Sequence, residues 1–309
     1  MSTIRRKGFF SKLVKYKEYL LMLLPAVLFF IVFSYLPMSG LIVAFKRYTY
    51  DLGIFGSEWV GLDNFKFLFL NGDLLKVVRN TLGYNLAFII VNNLLEIFIA
   101  IVLVELGNKY FRKVTQTFMF LPYFISWVVV GAFAYNLFNY EHGFVNSILT
   151  SLNKESIDFY SNPVIWIPII IILCAWKSIG YGTVIYLAAI MGIDSEMFEA
   201  AEIDGANVFQ RIFRIILPCL KPTVIILVLL SLGNIFRGDF SMFYQLIGDN
   251  SILWPTTDVI DTFVTRSLLQ TNEIGMSVAA GLFQSVFGFL AVTSVNFLVK
   301  LYDKDYSLF

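Results

Sequence analysis

Charged residues are scarce in this sequence. Asp, Glu, Lys and Arg make up 15% of its 309 residues, whereas hydrophobic residues make up 58%. Soluble globular chains carry about a quarter charged residues. The composition therefore excludes an ordinary soluble domain and indicates a protein that lies in a lipid bilayer. A net charge of +1 gives no support for a nucleic-acid partner, and we expect none.

Cysteine and histidine are almost absent. Cys174 and Cys219 lie in or beside apolar runs, which is typical of small buried residues and not of a disulfide framework. His142 lies in a polar loop without neighbouring ligand residues, so we predict no metal site. The sequence contains no G-x-x-x-x-G-K-[ST] stretch and no nucleophile–base arrangement. We therefore predict no cofactor bound by this chain and no enzyme active site in it.

Long apolar runs dominate the sequence. A helix needs about 20 apolar residues to cross the hydrocarbon of a bilayer. Six segments reach this length: 20–45, 78–106, 114–138, 164–191, 223–243 and 276–301. The first is longer than the core of a cleavable signal peptide, so we interpret it as a retained span. The sequence thus predicts an all-α polytopic membrane protein with six transmembrane helices.

The distribution of lysine and arginine predicts the orientation. More than half of the 23 basic residues lie in the two tails, in the loop after the second span, and in or next to segment 192–218. The positive-inside rule places these regions in the cytoplasm. We therefore predict a basic cytoplasmic tail over 1–19, a membrane domain over 20–301 and a cytoplasmic tail over 302–309.

A polar, alanine-rich stretch separates the fourth and fifth spans. Its sequence is Glu-Ala-Ala-Glu-Ile-Asp-Gly over 199–205, followed by Ile-Ile-Leu-Pro over 215–218. The alanines give a helix with a slim face that can approach a groove closely. Gly205 can adopt a left-handed conformation and end that helix. Asn207 and Gln210 are then spaced as an N-cap and its capping-box partner. These features by themselves also fit an ordinary amphipathic loop helix.

The complete spacing of this stretch resembles the EAA---G---------I-LP pattern of ABC importer permeases. Nearly the whole chain is also similar to the sugar-importing branch of that family, in particular to polysaccharide and oligosaccharide permeases. The segments that carry this second resemblance are Leu24–Ala26, Tyr35–Met38, Trp59–Phe65, Leu121–Trp127, Trp176–Gly180, Tyr186–Ala189, Pro255–Thr262 and Tyr302–Phe309.

The resemblance implies the type I ABC importer permease fold in a bacterial cytoplasmic membrane, with a cytoplasmic coupling helix between helices 4 and 5. It implies a second homologous permease, favoured to be a different chain, and two ATPase subunits that hold ATP and Mg. It also implies an extracytoplasmic solute-binding protein that delivers an oligosaccharide. The residues that the pattern assigns to ATPase coupling are Glu199, Ala200, Ala201, Asp204, Gly205, Leu217 and Pro218.

Polar residues inside the apolar spans indicate a solute path. Such groups are expensive in lipid and usually face a cavity or another helix, and sugars need hydrogen-bonding groups and aromatic faces. The candidates in the third to fifth spans are Tyr135, Asn136, Trp176, Lys177, Tyr181, Asn234, Arg237 and Asp239. Each of them also fits a contact between helices. Arg237 and Asp239 fit a mutual pair or a helix end, and Lys177 fits a pair with Glu96.

Other functions explain less of the sequence. A secondary transporter would account for six spans and buried charges, but not for the EAA pattern or the lack of paired interrupted helices. An intramembrane enzyme would need a reactive constellation, and none is apparent. Within the ABC class, import of a solute other than a sugar is the alternative to import of an oligosaccharide.

Overall fold

The computed structural model describes residues 16–70, 73–271 and 274–302. These residues are largely helical, and one two-stranded hairpin supplies all the strand structure among them. The predicted all-α membrane fold is confirmed. The basic tail up to residue 15 and the tail residues 303–309 lie outside the described residues. The chain forms two compact units.

The first unit contains the described residues up to Phe67 and the last helix up to Leu282. Its elements are α1 (Lys17–Phe30), a π-helical turn (Ile31–Tyr35), α2 (Leu36–Met38), a 3-10 helix (Ser39–Phe45), β1 (Lys46–Arg47), α3 (Gly53–Gly56), β2 (Glu58–Trp59) and the start of α4 (Asp63–Leu70). Pro37 lacks the N–H that the carbonyl of Phe33 would bond, which accounts for the change of helix type.

The hairpin of the first unit folds back on the end of the first span. The two strands pair antiparallel, with Lys46 opposite Trp59. The Asn64 side-chain amide donates to the carbonyls of Ala44 and Lys46 at 2.9 and 2.8 Å. The Trp59–Phe65 stretch thus supplies part of β2 and the side chain that bonds the backbone at the start of β1.

The second unit runs from Leu68 to Thr271 and takes in the rest of the last helix. Its helices are α5 (Asp73–Glu105), α6 (Lys109–Phe124), α7 (Trp127–Phe138), α8 (Phe144–Ser151), α9 (Trp166–Met191), α10 (Ser195–Ile203), α11 (Val208–Arg211), α12 (Leu217–Leu232), α13 (Phe240–Ile247), α14 (Trp254–Thr257), α15 (Ile260–Thr271) and, shared with the first unit, α16 (Ile274–Tyr302). Two 3-10 turns (Phe159–Ser161 and Pro163–Ile165) precede α9, and a π-helical turn (Ile212–Ile216) joins α11 to α12.

The third apolar run is not one helix. Among the described residues, five helical runs are long and apolar enough to cross a membrane, and a sixth is obtained only if α6 and α7 are taken together. These two helices meet at 93°. The third predicted span, over 114–138, therefore contains two helices joined at a bend and not one continuous helix. Ile125 is extended at the bend and Ser126 is the N-cap of α7, so α6 ends shortly after Pro122.

The fifth helix differs from its predicted bounds of 223–243. A helical run extends from Val208 to Leu232, and residues 233–239 form turns before α13. Asp239 begins α13 by accepting the N–H of Met242 at 3.0 Å. The Leu217–Pro218 end of the coupling pattern is therefore the beginning of the fifth long helix.

Two clusters of buried side chains hold the second unit together. The first joins α5, α7, α9 and α13 around Trp166 and Phe243. The second joins α5, α9 and α12 around Tyr186 and Leu220, and Phe198 of α10 packs against it. The short helix α10 is thereby fixed to the long helices.

Candidate functional site

The coupling segment, residues 192–218, is shaped by local hydrogen bonds. Gly205 has φ of +71°, and the N–H groups of Gly205 and Ala206 donate to the carbonyls of Glu202 and Ala201 at 3.0 and 2.9 Å. This pair of bonds is a Schellman C-cap on α10. Asn207 and Gln210 form a reciprocal capping box with bonds of 2.8 and 2.9 Å. The predicted left-handed glycine and capping box are confirmed.

The outer surface of the coupling segment is partly apolar. Glu199, Ala200, Asp204 and Gly205 are exposed. Five large apolar side chains of the segment are exposed as well, and the most exposed are Ile203, Phe209 and Phe213. A cavity of about 340 Å³ between α10 and α11 is lined by Ala200, Ala201, Asp204, Gln210, Arg211 and Arg214, among others. Apolar side chains rimmed by polar groups are typical of a surface that binds another protein.

A cavity of about 510 Å³ lies between α5, α9 and α12. We call it the asparagine cavity, because amide side chains dominate its polar lining: Asn85, Asn92, Asn93 and Asn234, with Glu96, Tyr181 and Ser231 beside them. A Cβ on Gly182 would overlap the carboxylate of Glu96. Gly182 is therefore what lets this buried carboxylate lie against α9.

A second cavity of about 400 Å³ adjoins the first and shares Asn85, Phe88 and Asn234 with it. We call it the Lys177 cavity. Its other polar and aromatic lining residues are Tyr123, Trp127, Lys177, Ser178, Arg237 and Asp239. Amides dominate the polar lining of the first cavity, whereas the second carries the charged groups of Lys177, Arg237 and Asp239.

Lys177 caps the break between α6 and α7. Its ammonium donates to the carbonyls of Pro122, Tyr123 and Ile125 at 3.3, 2.7 and 2.6 Å. The last carbonyls of a helix have no partner within it, and a cation near them is favourable. No ion pair joins Lys177 to Glu96 in the described part of the chain, so the predicted alternative of such a pair is wrong. Lys177 borders the cavity and also holds the bend.

The break at residues 233–239 is held from three directions. The Asn85 amide donates to the carbonyls of Ile235 and Arg237 at 3.0 and 2.9 Å. The Gln284 amide donates to the carbonyl of Phe236 at 3.0 Å and to Asp261 Oδ2 at 2.8 Å. The same Asp261 oxygen accepts the N–H of Gly238 at 2.5 Å.

Burial raises the pKa of Asp261, and the bonds from Gly238 and Gln284 oppose that rise. The carboxyl of α15 thus lies where ionisation is disfavoured.

Comparisons with known proteins identify the family of this chain. The family described as "Binding-protein-dependent transport system inner membrane component" matches residues 93–306. The chain is 35% identical to the protein LplB of Bacillus subtilis (strain 168), over 92% of this chain and 89% of LplB. The chain belongs to this family. It is a multi-pass permease subunit of a binding-protein-dependent ABC importer, and the ATPase of such an importer is a separate subunit.

Two further similar proteins belong to transporters of polysaccharides. The permease is 33% identical to the polygalacturonan/rhamnogalacturonan transport system permease protein YteP of Bacillus subtilis (strain 168), over 97% of this chain and 93% of YteP. It also matches a chain of the bacterial alginate ABC transporter, solved in complex with an alginate pentasaccharide-bound periplasmic protein. That match has a TM-score of 0.86 and 31% identity, and it covers 96% of this chain and 99% of the other.

The permease brings five of the eight predicted path residues to the two cavities: Lys177, Tyr181, Asn234, Arg237 and Asp239. Trp176 borders neither cavity. Tyr135 pairs with the Tyr160 ring at 6.0 Å, and Asn136 donates to a carbonyl of its own helix. Asp239 caps α13 and accepts the Trp127 indole N–H at 2.9 Å. This arrangement favours the helix-end interpretation of Asp239 over a pair with Arg237.

Asn85 and Gln284 were not predicted. Each is one amide in an apolar run, and their partners lie 150 and 48 positions away in the chain. The exposed Ile203, Phe209 and Phe213 were also missed. A signal for these three existed, because large apolar side chains recur through a segment otherwise marked as polar.

Proposed function

We propose that this permease imports an oligosaccharide into a bacterial cell, with its termini and coupling segment in the cytoplasm. A second permease completes the path, and two ATPase subunits bind ATP and Mg and dock on the coupling segments. The extracytoplasmic binding protein delivers the sugar. The relatives named for polygalacturonan/rhamnogalacturonan transport and alginate support this assignment, as does the distribution of basic residues.

The observation that carries the oligosaccharide assignment is the asparagine cavity. Sugars present many hydroxyl groups, and amides can both donate to and accept from them. The Asn92 Oδ1 atom is buried and has no hydrogen-bond partner among the described residues. A buried acceptor without a partner is rare, and a solute hydroxyl would satisfy it once rotation of the Asn92 amide opens Oδ1 to the cavity.

Arg237 favours sugars that carry carboxylates. It is exposed on the Lys177 cavity, where the ammonium of Lys177 is occupied by three carbonyls. A guanidinium can bind a carboxylate with two parallel hydrogen bonds. We therefore propose a uronate-containing oligosaccharide as the solute and Arg237 as the residue that meets its carboxylates.

We propose that the coupling segment docks on an ATPase subunit through its exposed surface. Glu199, Ala200, Ala201, Asp204 and Gly205 form the docking helix and its cap. Leu217 and Pro218 begin the helix that leads into the membrane. A complex purified through a tag on this permease should contain a second, different permease and an ATPase pair. Recovery of an active complex with two copies of this chain would contradict the heterodimer.

The solute is tested by uptake into proteoliposomes that contain the purified complex and its binding protein. We expect uptake of an oligogalacturonide, and less uptake of a neutral arabino-oligosaccharide. Arg237→Gln should reduce oligogalacturonide uptake more than Arg237→Lys, because the lysine keeps the charge. Equal uptake of both sugars by the wild type would refute the uronate assignment, and uptake of non-sugar solutes alone would refute the oligosaccharide.

A further inference from the structure

One ion pair joins the end of α5 to the coupling segment. Arg211 Nη2 lies 2.7 Å from Glu105 Oε2, and the two side chains keep 26% and 19% of their exposure. Glu105 is the last residue of α5 and Arg211 is the last residue of α11. The pair is partly shielded from solvent, so salt screens it less than it would screen a pair on the open surface.

The position of Glu105 is unfavourable for α5 alone. The C-terminal end of a helix carries partial negative charge, so a carboxylate in the last turn is disfavoured unless a cation faces it. Arg211 is that cation. Its Nε is buried and has no hydrogen-bond partner among the described residues, so the contact with Glu105 is what offsets the burial of the guanidinium. The pair therefore joins the end of α5 to the end of α11.

The direct connection from the coupling segment into the membrane is one helical run, Val208–Leu232, that contains a π-helical turn and two prolines. α11 continues into α12 through the π-helical turn Ile212–Ile216. Pro218 lacks the N–H that the Arg214 carbonyl would bond in an α-helix, and Pro222 leaves the Pro218 carbonyl in the same position. Helices bend at such places. The Glu105–Arg211 pair lies before the π-helical turn and gives α11 a second connection to the membrane helices, through α5.

The helix at the other end of the pair lines the solute path. α5 contributes Asn85, Asn92, Asn93 and Glu96 to the asparagine cavity. Glu96 precedes Glu105 by nine residues, which is about 13 Å along a helix axis. Leu103 of α5 is buried in the cluster that also holds α9 and α12. A push on the end of α5 thus reaches the cavity through a continuous helix.

We propose that the Glu105–Arg211 pair is a strut that carries movement of the coupling segment to α5 and so to the solute path. Glu105 and Arg211 are positioning residues, since neither borders the asparagine cavity. This inference rests on the proposed function, because it requires an ATPase that moves the coupling segment.

The test uses the full complex with its partner subunits and binding protein. Glu105→Gln, Arg211→Gln and the exchanged pair Glu105→Arg/Arg211→Glu are compared for solute imported per ATP hydrolysed, together with basal ATPase activity. Glu105→Gln should keep the basal activity, and each single variant should lower the ratio about five-fold or more, the size of an ordinary coupling effect. The exchanged pair should restore most of the ratio.

The control is Glu58→Gln, which removes the exposed Arg47–Glu58 pair of 3.3 Å in the first unit and should leave the ratio unchanged. If Glu105→Gln does not assemble, Glu105→Asp takes its place, because it keeps the charge and shortens the side chain by one methylene.

A wild-type ratio in assembled single variants, even with lower thermal stability, would overturn the strut. Failure of the assembled exchanged pair to restore the ratio would overturn it too. A wild-type complex that imports no oligosaccharide but whose ATPase still responds to the binding protein would contradict the proposed solute alone. The strut is then measured by that ATPase response.

Discussion

Two breaks interrupt the helices of the second unit, and they are held in different ways. The break between α6 and α7 turns the chain by 93° and directs three carbonyls at one cation, Lys177. The break at residues 233–239 is longer and is held by Asn85, Gln284 and Asp261 together.

The difference follows from which backbone groups each break exposes. A bend just after a helix leaves carbonyls without donors, and one ammonium with three N–H groups can satisfy them. A longer break exposes both carbonyls and an N–H group, so it needs donors and an acceptor from several elements. The backbone groups of the first break therefore depend on a single side chain, whereas those of the second are bonded by three side chains.

The largest loss of stability is expected at the first break, between α6 and α7. Lys177→Met keeps the apolar stem but leaves the three carbonyls without their donor, and we expect a loss of about 3 kcal/mol in stability. Lys177→Arg keeps the charge and several donors and should lose much less. Thermal unfolding of the detergent-purified complex measures both. A Lys177→Met protein that unfolds with the wild type would show that the bend does not need the cation.

At the second break, loss of one amide should cost less. Asn85→Leu and Gln284→Leu each leave carbonyls of the 233–239 segment without a donor, and we expect about 1.5 kcal/mol for each. Because the two amides hold one segment, the double variant should lose more than the sum. If Asn85→Leu alone destabilises the complex as much as Lys177→Met, the contrast between a single and a shared clamp is wrong.

The carboxyl of Asp261 should make the stability of the second break depend on pH. Burial raises the pKa of Asp261 above its ordinary value of 3.8, with Arg237 and the two hydrogen bonds opposing the rise. The protonated form is thus favoured in the folded state. Its contribution to stability is complete below pH 3.8 and is lost as the pH rises through the raised value.

Asp261→Asn isolates this effect. The asparagine oxygen can still accept from Gly238 and Gln284, so the variant should not lose stability across that pH range as the wild type does. Asp261→Ala, which removes the acceptor, should be less stable than Asp261→Asn at every pH. Parallel unfolding curves for the wild type and Asp261→Asn from pH 4 to 7 would exclude a titrating clamp.

The smallest loss of stability is expected at Gly205, because no distant side chain holds the turn that it forms. Gly205→Ala places a Cβ in the left-handed conformation of φ +71°, with no atom within 4 Å of it. The cost is therefore backbone strain alone, about 1 kcal/mol. Gly205→Asn should cost less, because asparagine tolerates this conformation better. A larger loss of stability in either variant would mean that contacts beyond the local cap hold this turn.

The sequence predicted what depends on neighbours in the chain. Gly205, Asn207 and Gln210 act on residues within five positions, so their roles followed from spacing alone. The apolar runs also followed, because a bilayer demands a minimum length of each. The charges of Arg237 and Asp239 fitted either a mutual pair or a helix end, and the cap that Asp239 provides for α13 agrees with the second.

What depends on distant packing was not predictable. Pro122 gave no measure of a 93° bend, since proline inside a membrane helix often leaves it continuous. The function of Lys177 in that bend required knowing that α9 packs beside α6. Likewise, Asn85 bonds residues 150 and 152 positions away, and no pattern in one sequence reports such a pairing. The cavities could not be predicted for the same reason, because their walls come from elements that are far apart in the chain.

The coupling segment also bears on how subunits assemble. Its caps join residues that are close in sequence, from Asp194 with Glu196 to Asn207 with Gln210. Phe198 of α10 packs against the buried cluster of α5, α9 and α12. Ordering a flexible segment costs about 1–2 kcal/mol per residue in backbone entropy. A partner that docks on α10 meets a surface that has already lost this freedom. Association at this surface is therefore closer to the fitting of two rigid bodies than to folding on contact.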